Sequence, residues 1–201
     1  MVEPSEWTKM VTTNPSHSTW FVKRFRDMAA AGHDLHGEAR FVDAMVRRHA
    51  LVLDAGCGSG RVGGYLAQAG HDVVGVDVDP VLVAAAEEDH PGPVWVVGDL
   101  AELDLSALGV RGRFDAIVAA GNVMPFLAAS TRVEVLRRFR THLAEQGRAA
   151  VGFGAGRGYD FDAFLADVRT AGLEPELLLG GWDLRPFQPG SDFLVAVLRR
   201  A

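Results

Sequence analysis

Asp54, Gly56, Gly58 and Gly60 alternate with the small residues Ala55, Cys57 and Ser59, and a second acid, Asp77, follows 17 residues after the last glycine. Glycine has no Cβ, so such a run lets the backbone turn sharply, present its N–H groups and take a ligand close to the chain. A carboxylate beside that turn is suited to hold a ribose by both hydroxyls. Cys57, the one cysteine, reads as part of the turn, with its thiol packed beneath the loop, because no basic partner lies near it in sequence. A single cysteine excludes an internal disulfide and a cysteine zinc site, and the seven histidines lack metal-ligand spacing, so no metal is expected.

The surrounding pattern supplies elements to carry these residues. The apolar run 51–53 reads as a buried parallel strand ending at Asp54. A helix follows, with Tyr65, Leu66 and Ala69 on its apolar side and Gly70 as its stop. A second strand over 73–76 delivers Asp77, and a right-handed crossover would bring the two strand tips together. Asp79 and Pro80 are suited to cap and open the next helix. A third strand over 94–97 leads into Gly98-Asp99, and Phe114-Asp115-Ala116-Ile117-Val118 reads as a fourth.

This ordered series resembles the class I S-adenosylmethionine-dependent methyltransferases over roughly residues 35–200. The resemblance implies an α/β fold with a doubly wound, mostly parallel seven-stranded sheet in the order 3-2-1-4-5-7-6, helices on both faces and two N-terminal cover helices. It also implies S-adenosyl-L-methionine as cofactor, Val78 packed on its adenine, Asp99 accepting from the adenine amino group and Leu100 flanking the ring. Two alternatives stay open. Gly58-x-Gly60-x-x-Gly63 also fits a nicotinamide dinucleotide turn, and the chain could hold S-adenosylmethionine without catalysis.

At 201 residues the sequence reads as one domain: a loosely held terminus over 1–15, a helical cover over 16–49 and a catalytic α/β core over 50–201. No apolar run is long enough for a membrane span and no signal peptide is evident, so a cytoplasmic location is expected. A net charge of −6 disfavours a nucleic-acid partner and leaves a small-molecule methyl acceptor as the expected substrate. The sequence is compatible with a homo-oligomer.

The cover should consist of a helix capped at Ser16, with Phe21, Phe25 and Met28 at helical spacing, and a second over 37–49 burying Phe41, Val42 and Met45. As a cover, its polar link 34–40 would face the ligand. His36 or Glu38 could then accept a substrate proton, and Arg40 could pair with the methionine carboxylate of the cofactor. The alternative is that Asp34 caps the helix and the others are solvated.

Ligands bind outside the carboxyl ends of the strands of a doubly wound sheet. That places Gly121 and Asn122 beside the cofactor, Asn122 as a polar contact of the reacting groups, and Met124 and Phe126 as an apolar wall. The same edge should carry Arg157 and Tyr159 on a second glycine-rich loop. Trp182 and Arg185, on the last hairpin connection, would either recognise substrate or fasten the hairpin. Between these lie an expected weak helix over 101–112 and a helix opened by the capping-box pair Thr131 and Glu134. Methyl transfer from a sulfonium depends mainly on alignment, with a base needed only where the acceptor must lose a proton.

Overall fold

Apolar runs bounded by glycine or acid hide both of their faces only in the middle of a sheet, and the computed structural model, which describes residues 2–105, 110 and 113–201, puts 51–55, 72–77 and 114–119 there and 94–97 at the edge, with Val94 and Val97 exposed. β1 (Leu51–Ala55), β2 (Asp72–Asp77), β3 (Val94–Val97), β4 (Phe114–Ala119) and β5 (Leu143–Gly154) run parallel. β7 (Phe193–Arg200) inserts antiparallel between β5 and β6 (Leu173–Leu179), giving the order β3-β2-β1-β4-β5-β7-β6. That is the order the resemblance implied.

Alternation along the strands divides the core. Leu53, Ile117 and Val151 point toward α7 (Arg132–His142) and α8 (Phe161–Thr170), where they meet Leu136, Phe139 and Phe164. Val52, Val118 and Val195 point the other way and pack with Val42 of α3 (Gly37–Met45) and Leu66 of α4 (Arg61–Gln68). On that same side α5 (Pro80–Asp89) follows β2, with Pro80 at its first turn and Asp79 accepting the Val81 N–H at 2.9 Å.

Five expectations change. Residues 1–15 are not loose: α1 (Glu6–Thr13) forms there, capped by Ser5, whose hydroxyl oxygen accepts the Thr8 N–H at 3.1 Å. With α2 (His17–Ala30) it makes the cover, while α3 lies against the sheet. α3 also ends at Met45 rather than 49, because Arg148 takes the Met45 carbonyl at 2.5 Å and the chain turns extended at Val46. The capping box is absent: a 3-10 turn over Ala129–Thr131 already holds Thr131 in helical conformation, its hydroxyl donates to Ala128 O, and Glu134 pairs with Arg138. Of the weak helix expected over 101–112, only a 3-10 turn at Leu100–Glu102 is seen, and 106–109 and 111–112 lie outside the described residues.

Candidate active site

The turn between β1 and α4 follows from its glycines. Gly56, Gly58 and Gly60 have φ of 75°, 55° and 81°, a region other L-residues reach only with strain. Space is also closed: a Cβ on Gly56 would fall 2.5 Å from a Val123 methyl, and one on Gly60 would fall 2.8 Å from Ala86. The Gly56 and Cys57 N–H groups both donate to Val76 O, at 2.8 and 3.0 Å, and fasten the turn to β2.

Asp77, at the tip of β2, is fixed by that fastening. Its Oδ2 accepts the Gly58 N–H and its Oδ1 the Asp79 N–H, each at 2.9 Å. An ionised carboxylate has about four acceptor positions, so two hydroxyl donors can still be met. Burial raises its pKa to about 6 despite those N–H groups. Asp54 is more enclosed, 2% exposed, with Oδ2 accepting the Gly63 N–H of α4 at 2.8 Å, and burial raises its pKa to about 7. Asp99, after β3, uses Oδ1 for the Ala101 N–H at 2.8 Å.

These acids open onto a cavity of about 780 Å³, within the usual size range of small-ligand sites. Its floor is Gly56, Cys57 and Gly58, with Asp54 and Asp77 beside them and Val78, Asp99 and Leu100 at the β2–β3 end. Gly121, Asn122, Phe126 and Arg157 line the β4–β5 end. Overhead, α2 turns His17, Trp20, Phe21, Arg24 and Phe25 inward, a stripe of three- and four-residue spacing, and α1 adds Trp7 and Met10. Trp7 meets Phe21 and Phe126 edge to face, at 5.4 and 5.8 Å between ring centres.

Other expected residues lie elsewhere. Glu38 is not a free base: both of its oxygens accept from Arg61, at 2.5 and 2.9 Å, which lowers its pKa against the opposing effect of burial. His36 stacks on Tyr65 outside the cavity, and Arg40 forks onto Asp34 at 2.6 and 2.9 Å. Gly60 caps α4 without lining the cavity, and Met124, 1% exposed in the single-turn helix α6 (Val123–Phe126), is core rather than wall. Tyr159 turns into the core against Phe153, its hydroxyl donating to Asp167 at 2.5 Å. Trp182 packs edge-on to Phe41 and against Gly152, and Arg185 pairs with Asp183 at the surface. Cys57 packs with Val83, Ala86 and Trp95, and burial pushes its thiol well above the ordinary range, so it is no nucleophile.

A larger groove of about 860 Å³, between α3 and the β6–β7 hairpin, takes in Arg40 and Trp182. It touches neither the glycine turn nor Asp77, so size does not decide the site here.

Arg61 and Arg24 are cations at the cavity that the sequence pattern did not single out. Arg61 opens α4 beside the turn, its guanidinium held by Glu38 and by the Leu35 carbonyl at 2.7 Å and set over the Phe25 ring at 5.5 Å. The position of Arg61 directly after the last turn glycine was the available signal. Trp7 and His17 were missed too, and Ser5 followed by Glu6 is a helix-start signal that marked α1.

Asn122 holds two strand ends together. It sits at φ 67° and its side-chain oxygen accepts the Gly154 N–H at 2.9 Å, which leaves the amide NH₂ as its donor group at the cavity. Asn122→Ala should destabilise the protein by about 1–3 kcal/mol, since it leaves the Gly154 N–H without its acceptor and puts alanine at a left-handed position. Asn122→Gly, which relieves the strain, should lose less; urea denaturation of both variants checks the order.

A family model described as "Methyltransferase domain" matches residues 52–147. A TehB-like SAM-dependent methyltransferase from Corynebacterium glutamicum is 50% identical, with TM-score 0.88 over 94% of this chain and 100% of that one. A dTDP-3-amino-3,6-dideoxy-alpha-D-glucopyranose N,N-dimethyltransferase from Streptomyces fradiae is 30% identical over 60% of this chain and 47% of its own length. An 18S rRNA (guanine-N(7))-methyltransferase from Mus musculus is 33% identical over 43% of this chain and 30% of its own length. The chain thus spans less than half the length of these two curated relatives.

Proposed function

Since the chain belongs to the class I S-adenosylmethionine-dependent methyltransferases and uses S-adenosylmethionine, we propose that it methylates a small-molecule acceptor by direct in-line displacement. The observation that carries this reading is the roofed cavity. Trp7 and the inward stripe of α2 close over the glycine turn, leaving a chamber sized for cofactor and a compact acceptor rather than a groove for a polymer. The net charge of −6 also works against a nucleic-acid substrate. A cytoplasmic place of action is part of this proposal; no helix among the described residues is long and apolar enough to cross a membrane.

The residues present fit the cofactor. Asp77, already oriented by two backbone N–H groups, would accept from both ribose hydroxyls. Val78 and Leu100 would flank the adenine, and Asp99 Oδ2 would accept from its amino group. The glycine turn lets the methionine part lie close to the backbone. Its carboxylate falls to Arg61 rather than Arg40, because only Arg61 lines the same cavity. When bound, S-adenosylmethionine supplies an electrophilic methyl whose sulfonium charge disperses as it leaves. The chain's task is then to orient the acceptor and exclude water: Phe126 and Trp7 form apolar walls, while the Asn122 amide and Arg157 offer donors.

Arg61→Lys should weaken S-adenosylhomocysteine binding about tenfold, since a point charge replaces a fork. Arg40→Ala should leave it within about twofold; calorimetry on both variants separates the two assignments. Calorimetry with both cofactor forms, followed by methyl-transfer assays over a metabolite panel, tests the function itself. Tight binding with no turnover on any acceptor would favour a non-catalytic holder of the cofactor. Absence of binding would end the reading.

A further inference from the structure

Asp79 does more than cap α5. Its Oδ1 accepts the Val81 N–H, as an N-cap should, but its Oδ2 accepts from both helices of the cover: Trp7 Nε1 at 2.9 Å and the Ser18 hydroxyl at 2.5 Å. Its own N–H donates to Asp77 Oδ1 at 2.9 Å. Asp79 is 4% exposed, and among the described residues no cation pairs with it, so its charge rests on these neutral donors and the start of α5.

The two cover helices are held very differently. α2 is fastened to α5: Val22 packs with Leu82 and Ala85, and Arg26 reaches Asp89 and Glu88 at 2.8 Å. α1 buries no residue. It is held by the Trp7 N–H and ring edges, by the packing of that ring on the Val22, Leu82 and Ala85 cluster, by Val2 against the main core and by an exposed hydrogen bond from Ser130 to Glu3 at 2.6 Å. Residues 14–16 join the two helices.

We propose that α1 is a latch across the cofactor cavity, held shut by Asp79, and that Asp79 couples its closure to occupancy of Asp77. Asp79 is thus a positioning residue. The latch is polar and therefore reversible: when Trp7 leaves, water reaches Asp79 while Ser18 and Val81 still donate to it, so the carboxylate is never bare. Coupling runs through the backbone of 77–79. Asp77 Oδ1 holds the Asp79 N–H, so a ribose hydroxyl donating to that oxygen shares it with the backbone that presents Asp79 Oδ2 to Trp7, and by reciprocity a shut latch tightens ligand binding.

Trp7→Phe tests this in the full chain, because it keeps a ring among Phe21 and Phe126 and removes only the N–H. Amide exchange over 6–13 should quicken by roughly tenfold or more, the loss of one hydrogen bond to a charged group. Exchange over 17–30 should not change, and S-adenosylhomocysteine should dissociate faster by a similar factor in displacement experiments. Exchange and dissociation within twofold of wild type would overturn the latch, as would equal loosening of both helices. Should Trp7→Phe not fold, Asp79→Asn, which keeps a capping oxygen, is read by exchange over 6–13 and by dissociation alone, because Ser18 of α2 loses the same acceptor. The inference rests on the methyltransferase reading through its probe. Wild-type protein that fails to bind S-adenosylhomocysteine ends that reading, whereas binding with unaltered variant rates ends the latch alone.

Discussion

Exchanging Asp77 for alanine weakens binding of S-adenosylhomocysteine by roughly 1.5–3 kcal/mol, the range for hydrogen bonds to a charged group, or about ten- to a hundredfold. The expectation rests on preorganisation: Gly58 and Asp79 hold the carboxylate in place before any ligand arrives, so little ordering remains to oppose binding. Ionisation gives the same assignment a second signature. Burial raises the Asp77 pKa to about 6, and the protonated form has lost an acceptor position. Affinity should therefore be highest above pH 6 and fall as pH drops through that value, by up to about tenfold per pH unit. Asp77→Asn, with one acceptor oxygen at every pH, should bind weakly and flatten this dependence. Calorimetry at pH 5 and 8 reads both effects, and a wild-type dissociation constant in either variant would remove Asp77 from the ribose.

What could be read beforehand was what is local. The glycine turn and the strand tips at Asp77 and Asp99 follow from short runs whose composition leaves few alternatives, and the strand order was implied by the family those runs resemble. The cover is different, because no feature of residues 1–15 states that Trp7 will meet an acid 72 positions later. Trp7, Met10 and Val11 do lie at helical spacing, but a stripe of three residues in an eight-residue helix is short enough to pass for chance. The link 34–40 failed for a related reason. Positions two apart on a helix face away from each other, so Glu38 and Arg40 cannot serve one site; Glu38 turned to Arg61, Arg40 to Asp34. Tyr159 was placed on the right loop but the wrong side of it. Its ring completes the cluster of Phe153 and Phe164, and Asp167 supplies the partner its buried hydroxyl needs.

Asp54→Asn should give the second large effect, on stability. The folded-state pKa is raised from 3.8 to about 7 by burial, so the empty fold prefers a proton on Asp54. Below pH 3.8 both states hold that proton and the preference is fully expressed. As pH rises toward 7 the unfolded chain gives up the proton first, and the contribution is lost by the time the folded carboxyl ionises. Wild-type stability without ligand should thus fall by about 2–3 kcal/mol from pH 5 to 8 on this account alone, with Asp77 adding to it in the same direction. Asp54→Asn keeps an oxygen for the Gly63 N–H. It should already exceed wild type at pH 5 by about 1–2 kcal/mol, exceed it by more at pH 8 and retain only the Asp77 part of the slope; urea midpoints across that range measure it. An unchanged slope would show that Asp54 is not the group responsible. A residue that lines the ligand cavity while costing the empty protein stability is where function opposes folding. The cationic S-adenosylmethionine should recover that cost by favouring the ionised carboxylate, more than the uncharged thioether of S-adenosylhomocysteine can. Asp54→Asn should consequently narrow the difference in affinity between the two, and a variant with the full wild-type difference would leave Asp54 without that role.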